Sequence, residues 1–167
     1  SDAFFQNNTV QAERLIEELL GHCGQLDQRP ILDLYCGVGT FTLPLARLNP
    51  QRKIYGLELV ASAVAAAQAN ARLNNLDNLE FLVGDASRMV KQLRDHDFGA
   101  IVVDPPRSGL DPAVVAFLLA MKTPHIFYIS CNPVTLSRDL ALLSPLYEAK
   151  VIKGFDLFPQ TYHLEGF

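Results

Sequence analysis

"PILDLYCGVGT", residues 30–40, decides the fold. A short apolar run ends in a turn with Gly37 and Gly39, and "TFTLPLARL" (40–48) then reads as a helix. Strand, glycine turn and helix open a βαβ unit. The same alternation runs through the chain. "KIYGLEL" (53–59) precedes the Ala-rich helix "ASAVAAAQANARLNN" (61–75), whose Asn-Asn end reads as a C-cap. "LEFLVGD" (79–85) precedes the helical "ASRMVKQLRD" (86–95), and "GAIVVDPP" (99–106) precedes "PAVVAFLLAM" (112–121), with Pro112 in its first turn. "HIFYIS" (125–130) precedes "PVTLSRDLALL" (133–143), and "YEAKVIKGFDLF" (147–158) reads as a sixth strand. A further helix, "QAERLIEELLGHC" (11–23), stands before the first strand. The pattern predicts an α/β protein with a mostly parallel sheet and helices on both faces.

The chain has 167 residues, enough for one domain with its own core. Apolar content is 49% and charged content 19%, a globular balance. No uninterrupted apolar run reaches the ~18 residues of a membrane helix, and no secretory signal opens the chain. Net charge is −4, which excludes a strongly basic nucleic-acid-binding strip. Cys23, Cys36 and Cys131 are an odd number without a CxxC pair, which speaks against a disulfide framework and against a zinc site. The abrupt start and end read as a domain taken from a longer protein.

In open parallel sheets, ligands bind beyond the carboxyl ends of the strands. Five segments stand there: "YCGVGT", "GLEL", "GD", "DPPRSG" and "SCNP". Gly37 and Gly39 let backbone approach a ligand, though a GxG alone also serves a plain tight turn. Position 42, where a dinucleotide fingerprint has its third glycine, is Thr42. That points away from a pyrophosphate cofactor and towards S-adenosylmethionine. Glu58 stands where a carboxylate accepts ribose hydroxyls, and Asp85 either meets an adenine amine or caps the following helix. The prolines of "DPPRSG" fix Asp104 at a rigid wall of the pocket, and Arg107 either contacts a phosphate or pairs with an acid. Cys131 stands just before a helix, where the N-terminal partial charge lowers a thiol pKa. Cys36 reads as packing and Cys23 as inert.

Five stretches in order carry a family resemblance: "FFQNN", "DLYCGVGTFTLPLA", "DPPRSGL", "SCNPVTLSRDL" and "DLFPQTYHLE". The chain resembles the S-adenosylmethionine-dependent RNA 5-methyluridine methyltransferases, which modify uridine carbon 5 in transfer RNA and 23S ribosomal RNA. The resemblance implies a Rossmann-like class I methyltransferase domain over residues 1–167. It implies Cys131 as nucleophile, Glu165 as general base, and Gln6, Tyr35, Thr40, Glu58, Asp85 and Asp104 around the cofactor. Family members often carry Asn at the position of Thr40. His163 would orient Glu165, and Phe158 and Pro159 would flank a uridine turned out of its stack. The implied substrate is RNA, 23S ribosomal ahead of transfer RNA, in a cytoplasmic setting without a membrane or a metal in this segment. The resemblance further implies an N-terminal RNA-binding barrel and an iron–sulfur cluster that this stretch does not carry, and a final strand expected to be cut after Phe167. The expectation is a domain that binds cofactor, grips RNA weakly and holds Glu165 poorly.

Two other readings compete. One is a methyltransferase acting on cytosine carbon 5 or on an exocyclic amine. The first wants a Pro-Cys after the fourth strand, and the second an aromatic where Arg107 stands. The other is a non-catalytic cofactor- or RNA-binding module, which the presence of both Cys131 and Glu165 opposes. A nicotinamide oxidoreductase lacks the glycine at position 42.

Overall fold

The computed structural model describes residues 9–157 and 165–167. Gln6, Phe158, Pro159 and His163 lie outside the described residues. Five strands, β1 (Ile31–Leu34), β2 (Ile54–Glu58), β3 (Leu79–Val83), β4 (Ala100–Val103) and β5 (His125–Tyr128), form one parallel sheet in the order β3-β2-β1-β4-β5. The chain leaves β1 towards β2 on one side and returns to β4 on the other. This reversal opens a crevice above Leu34, which lies in register with Leu57 and Val103.

Helices α1 (Thr9–Cys23), α2 (Thr42–Leu48), α3 (Ala61–Leu73), α4 (Ala86–Met89), α5 (Pro112–Met121) and α6 (Pro133–Leu143) flank the sheet. Alternate residues of β1 and β4 feed two cores. Ile31, Ala100 and Val102 pack with Leu15 and Leu19 of α1 and with Phe41 and Leu45 at α2. Leu32, Leu34, Ile101 and Val103 pack with Val114, Phe117 and Leu118 of α5. Each fully buried Leu or Val contributes about 1.5–3 kcal/mol, so the two faces hold the strands in register.

The turn chemistry explains the helix boundaries. Asp111 caps α5 by accepting from Ala113 N at 2.8 Å, with Pro112 in the first turn. Asn132 caps α6 by accepting from Val134 N at 3.1 Å. The Asn-Pro after Cys131 is therefore a helix start. Asn74 closes α3, and Asn75 takes the left-handed conformation at φ 54°.

Two elements are shorter than the sequence pattern predicts. The helix expected over 86–95 ends at Met89, because Gln92 and His96 turn back onto Met89 and Leu93 with three-residue bonds while Val90 and Leu93 drop into the core. The strand expected over 147–158 is only β6 (Gly154–Phe155), which pairs antiparallel with β7 (Glu165–Gly166). Lys153 exchanges backbone hydrogen bonds with Phe167, residues 147–152 lie outside any strand, and Ile152 is exposed. An antiparallel bridge between Ser130 and Gly166 ties β7 to the chain just past β5.

Candidate active site

The crevice residues gather as the topology demands. Tyr35, Glu58, Asp85 and Asp104 all line one cleft of about 670 Å³ above the ends of β1, β2, β3 and β4. Pro106, Ser108, Leu110 and Asp111 form another part of its wall. Tyr35 holds an unusual left-handed backbone at φ 67°, which aims the chain into the glycine turn. Gly37 follows at φ 55°, and the space where its side chain would stand is open. Its N–H donates to Glu58 Oε2 at 3.0 Å, while Glu58 Oε1 accepts from Val60 N at 2.9 Å. Both carboxylate oxygens are thus fixed by backbone, with lone pairs left for a ligand's hydroxyls. Gly39 serves a different need: at φ 93°, a side chain there would collide with Leu43. Thr40 is exposed on the turn.

Asp85 both lines the cleft and caps α4, its Oδ1 accepting from Ser87 N at 2.8 Å. These hydrogen bonds hold its carboxyl below the usual range. Asp104 behaves oppositely. Burial, with the charges of Glu165 and Asp33 added, pushes its pKa up to about 8.

Beyond Asp104 lies the second half of the site. Cys131 is partly buried between the Ser130–Gly166 bridge and the start of α6. Arg107 stands near enough for its positive charge to act on the thiol. The expected lowering of the thiol pKa is corrected here: burial raises it, Glu165 and Asp104 raise it further, and Arg107 pulls the other way. Desolvation of a thiolate outweighs the partial charge of one helix end. Glu165, expected to be poorly held, is 6% exposed and sits opposite Phe155 in the β6–β7 pair. Burial lifts its pKa to about 7. Cys36 and Cys23 are buried thiols pushed far up by desolvation, Cys23 to about 12, in agreement with packing roles.

One buried group escaped the reading of the sequence. Asp139, on the apolar face of α6 between Leu136 and Leu143, is fully buried. It accepts from Leu110 N, Tyr128 Oη and Arg138. A charged residue in the middle of that apolar stripe was the available signal. Among the described residues no set of three or more His, Cys, Asp or Glu side chains is placed to hold a metal, and no helix is long and apolar enough to cross a membrane.

The cleft is thus lined by Glu58 and Asp104, with Cys131 and Glu165 near Asp104. The family described as tRNA (Uracil-5-)-methyltransferase matches residues 1–167. The chain belongs to this tRNA (uracil-5-)-methyltransferase family. An uncharacterised RNA methyltransferase of Caldanaerobacter subterraneus is 40% identical over 98% of this chain and 36% of its own length. One from Enterococcus faecalis is 40% identical over 98% of this chain and 36% of its own length. The present chain therefore spans about a third of the length of these curated relatives. The structure of the Pyrococcus abyssi tRNA (uracil-54, C5)-methyltransferase in complex with S-adenosyl-L-homocysteine superposes with a TM-score of 0.85 at 35% identity, over 99% of this chain and 39% of that one. Magnesium protoporphyrin IX methyltransferase from Synechocystis, with S-adenosylmethionine bound, shares the fold at a TM-score of 0.69 and 13% identity. The fold is the Rossmann-like one of methyltransferases, and these two solved structures hold S-adenosyl-L-homocysteine and S-adenosylmethionine. The open space at Gly37 and the backbone-fixed Glu58 fit such a nucleoside.

Proposed function

We propose that the domain methylates carbon 5 of a uridine in RNA through a covalent adduct with Cys131. The observation that carries this reading is the meeting of Cys131, Glu165 and Asp104: the Ser130–Gly166 bridge sets the Glu165 segment beside Cys131, and both carboxylates are close enough to raise the thiol's pKa.

Carbon 5 of uracil is a weak nucleophile. The Cys131 thiolate adds to carbon 6, forming the C–S bond and moving an electron pair onto carbon 5 and the carbonyl at position 4. Arg107 steadies the thiolate before attack. S-adenosylmethionine, when bound, supplies the methyl group that carbon 5 takes. Glu165 then accepts the proton on carbon 5, which the neighbouring carbonyl acidifies. The returning electron pair restores the 5,6 double bond and expels the thiolate. A carboxyl with a pKa of about 7 suits this step, because it is ionised in good part at neutral pH and still basic enough to take the proton. Gly37, Glu58, Asp85 and Tyr35 hold the cofactor, with Asp104 between it and the thiol.

The RNA is 23S ribosomal RNA or transfer RNA. Sequence resemblance favours the first, and the Pyrococcus abyssi relative is named for the second. A cytosine carbon 5 enzyme fits less well, since residues 104–110 contain no cysteine. The test uses transfer RNA and 23S RNA carrying 5-fluorouridine, mixed with S-adenosylmethionine and the protein. Fluorine does not leave as a proton does, so an adduct that survives denaturation accumulates and disappears in Cys131→Ala. Cofactor binding without any adduct on either RNA overturns the reading.

A further inference from the structure

We propose that Asp139 is a positioning residue for this reaction, holding the loop 104–110 against α6 so that the cleft keeps its wall and Arg107 stays beside Cys131. The inference rests on the function proposed above. Asp139 Oδ2 accepts from Leu110 N at 2.7 Å and from Tyr128 Oη at 2.6 Å. Its Oδ1 accepts from Arg138 Nε at 2.9 Å and Nη2 at 2.7 Å. The same Arg138 Nη2 donates to Ser108 O at 2.9 Å. One buried carboxylate thus joins β5, the loop after β4 and α6.

A buried ion pair is a poor source of net stability, because desolvation offsets the attraction. What such a network does well is fix one geometry. The geometry it fixes is functional. Ser108, Gly109 and Leu110 wall the cofactor cleft, and Arg107, whose charge acts on the Cys131 thiol, comes from the same loop. Gly109, at φ 78°, lies so close that a side chain would collide with both Arg138 and Asp139. The first turn of α6 adds two more holds on the loop, from Asn132 and Thr135 to Arg107 O. A shift of this loop therefore disturbs the cleft and the thiol together.

The groups facing the thiol are Glu165 from β7, and Asp104 and Arg107 from the loop. Asp104 and Arg107 both lie on the loop that Asp139 holds at Leu110 and, through Arg138, at Ser108. The test is Asp139→Asn in the full protein. The amide keeps an acceptor for Leu110 and Tyr128 and turns N–H groups against the Arg138 guanidinium. Two readouts are taken: the pH profile of Cys131 alkylation by iodoacetamide, followed on the Cys131 peptide by mass spectrometry, and the affinity for S-adenosylhomocysteine by calorimetry. The expected result is alkylation about tenfold slower at pH 8, with the profile moved to higher pH, and S-adenosylhomocysteine binding about tenfold weaker. Adding Arg107→Met to Asp139→Asn gives no further shift in the profile. Arg138→Met, at a half-exposed position, keeps the carboxylate and gives the same changes in smaller measure. An unchanged profile and affinity in folded Asp139→Asn overturn the proposal. If Asp139→Asn fails to fold, an unchanged profile in Arg138→Met overturns it. Neither readout uses RNA, so a Cys131→Ala protein that still methylates removes the proposed function without touching this result.

Discussion

Asn132 holds Arg107: its Nδ2 donates to the Arg107 carbonyl at 3.0 Å, and the Arg107 charge acts on the thiol of Cys131, the residue before Asn132. The cap of α6 and the loop after β4 are therefore locked around the thiol. Arg107 is the one group among those facing the thiol that lowers its pKa, against burial and two carboxylates. Arg107→Met is expected to move Cys131 alkylation to higher pH and to slow adduct formation on 5-fluorouridine RNA by about tenfold to a hundredfold. Stopped-flow or quenched-flow adduct kinetics check this, with S-adenosylhomocysteine affinity unchanged within about twofold as the control.

Glu165 gives the reaction its pH dependence. Its pKa of about 7 belongs to a carboxyl that must be ionised to take the carbon 5 proton. Turnover on ordinary RNA is expected to rise through pH 7 and to fall about tenfold per unit below it. Glu165→Gln removes the base and leaves the thiol in place. A denaturation-resistant adduct should then build up on unfluorinated RNA, with turnover down by about a hundredfold or more. A Glu165→Gln protein with the wild-type pH profile assigns the proton to another group.

The order of strands and helices was legible because each apolar run ends in a recognisable turn, and the crossover rule then brings Tyr35, Glu58, Asp85 and Asp104 to one crevice. Cys36 and Cys23 were legible as filler, since neither stands in a CxxC pair, and both are buried. Two things were not legible. The seating of Glu165 depends on pairing with Phe155 and on the Ser130–Gly166 bridge, contacts across 10 and 36 residues that no local pattern announces. The direction of the Cys131 shift depends on which charges fold around it, and the adjacent helix start was only one of them. Asp139 was missed for the same reason: its partners Leu110 and Tyr128 are 29 and 11 residues away.

Asp33 gives the stability its pH dependence. Its side chain is fully buried; Oδ2 accepts from Thr42 Oγ1 at 2.6 Å and Oδ1 has no partner. Burial raises its pKa from 3.8 to about 7, so the folded protein holds a proton that the unfolded chain releases. The stabilising contribution is complete below about pH 4 and is lost as pH rises to about 7. Asp33→Asn mimics the protonated form at every pH. Its unfolding temperature should match the wild type near pH 4, exceed it increasingly up to pH 7, and hold a constant lead above that. The lead should be on the order of a few kcal/mol in unfolding free energy. A pH-independent difference contradicts the assignment of the buried charge.

Glu58 is the cofactor-side counterpart of Arg107. Its two oxygens accept from Gly37 N and Val60 N, which fixes the glycine turn relative to the end of β2. Glu58→Gln retains one acceptor and sets an amide N–H against one of these backbone N–H groups. The turn must then shift or leave a donor unpaired, at about 1–3 kcal/mol. S-adenosylhomocysteine affinity by calorimetry should fall about tenfold to a hundredfold, while alkylation of Cys131 keeps its wild-type pH profile. Loss of both together would mean that the cleft and the thiol are coupled through the sheet ends as well as through the loop 104–110. Loss of affinity alone separates the cofactor end of the site from its nucleophile end, with Asp104 as the residue that stands between them.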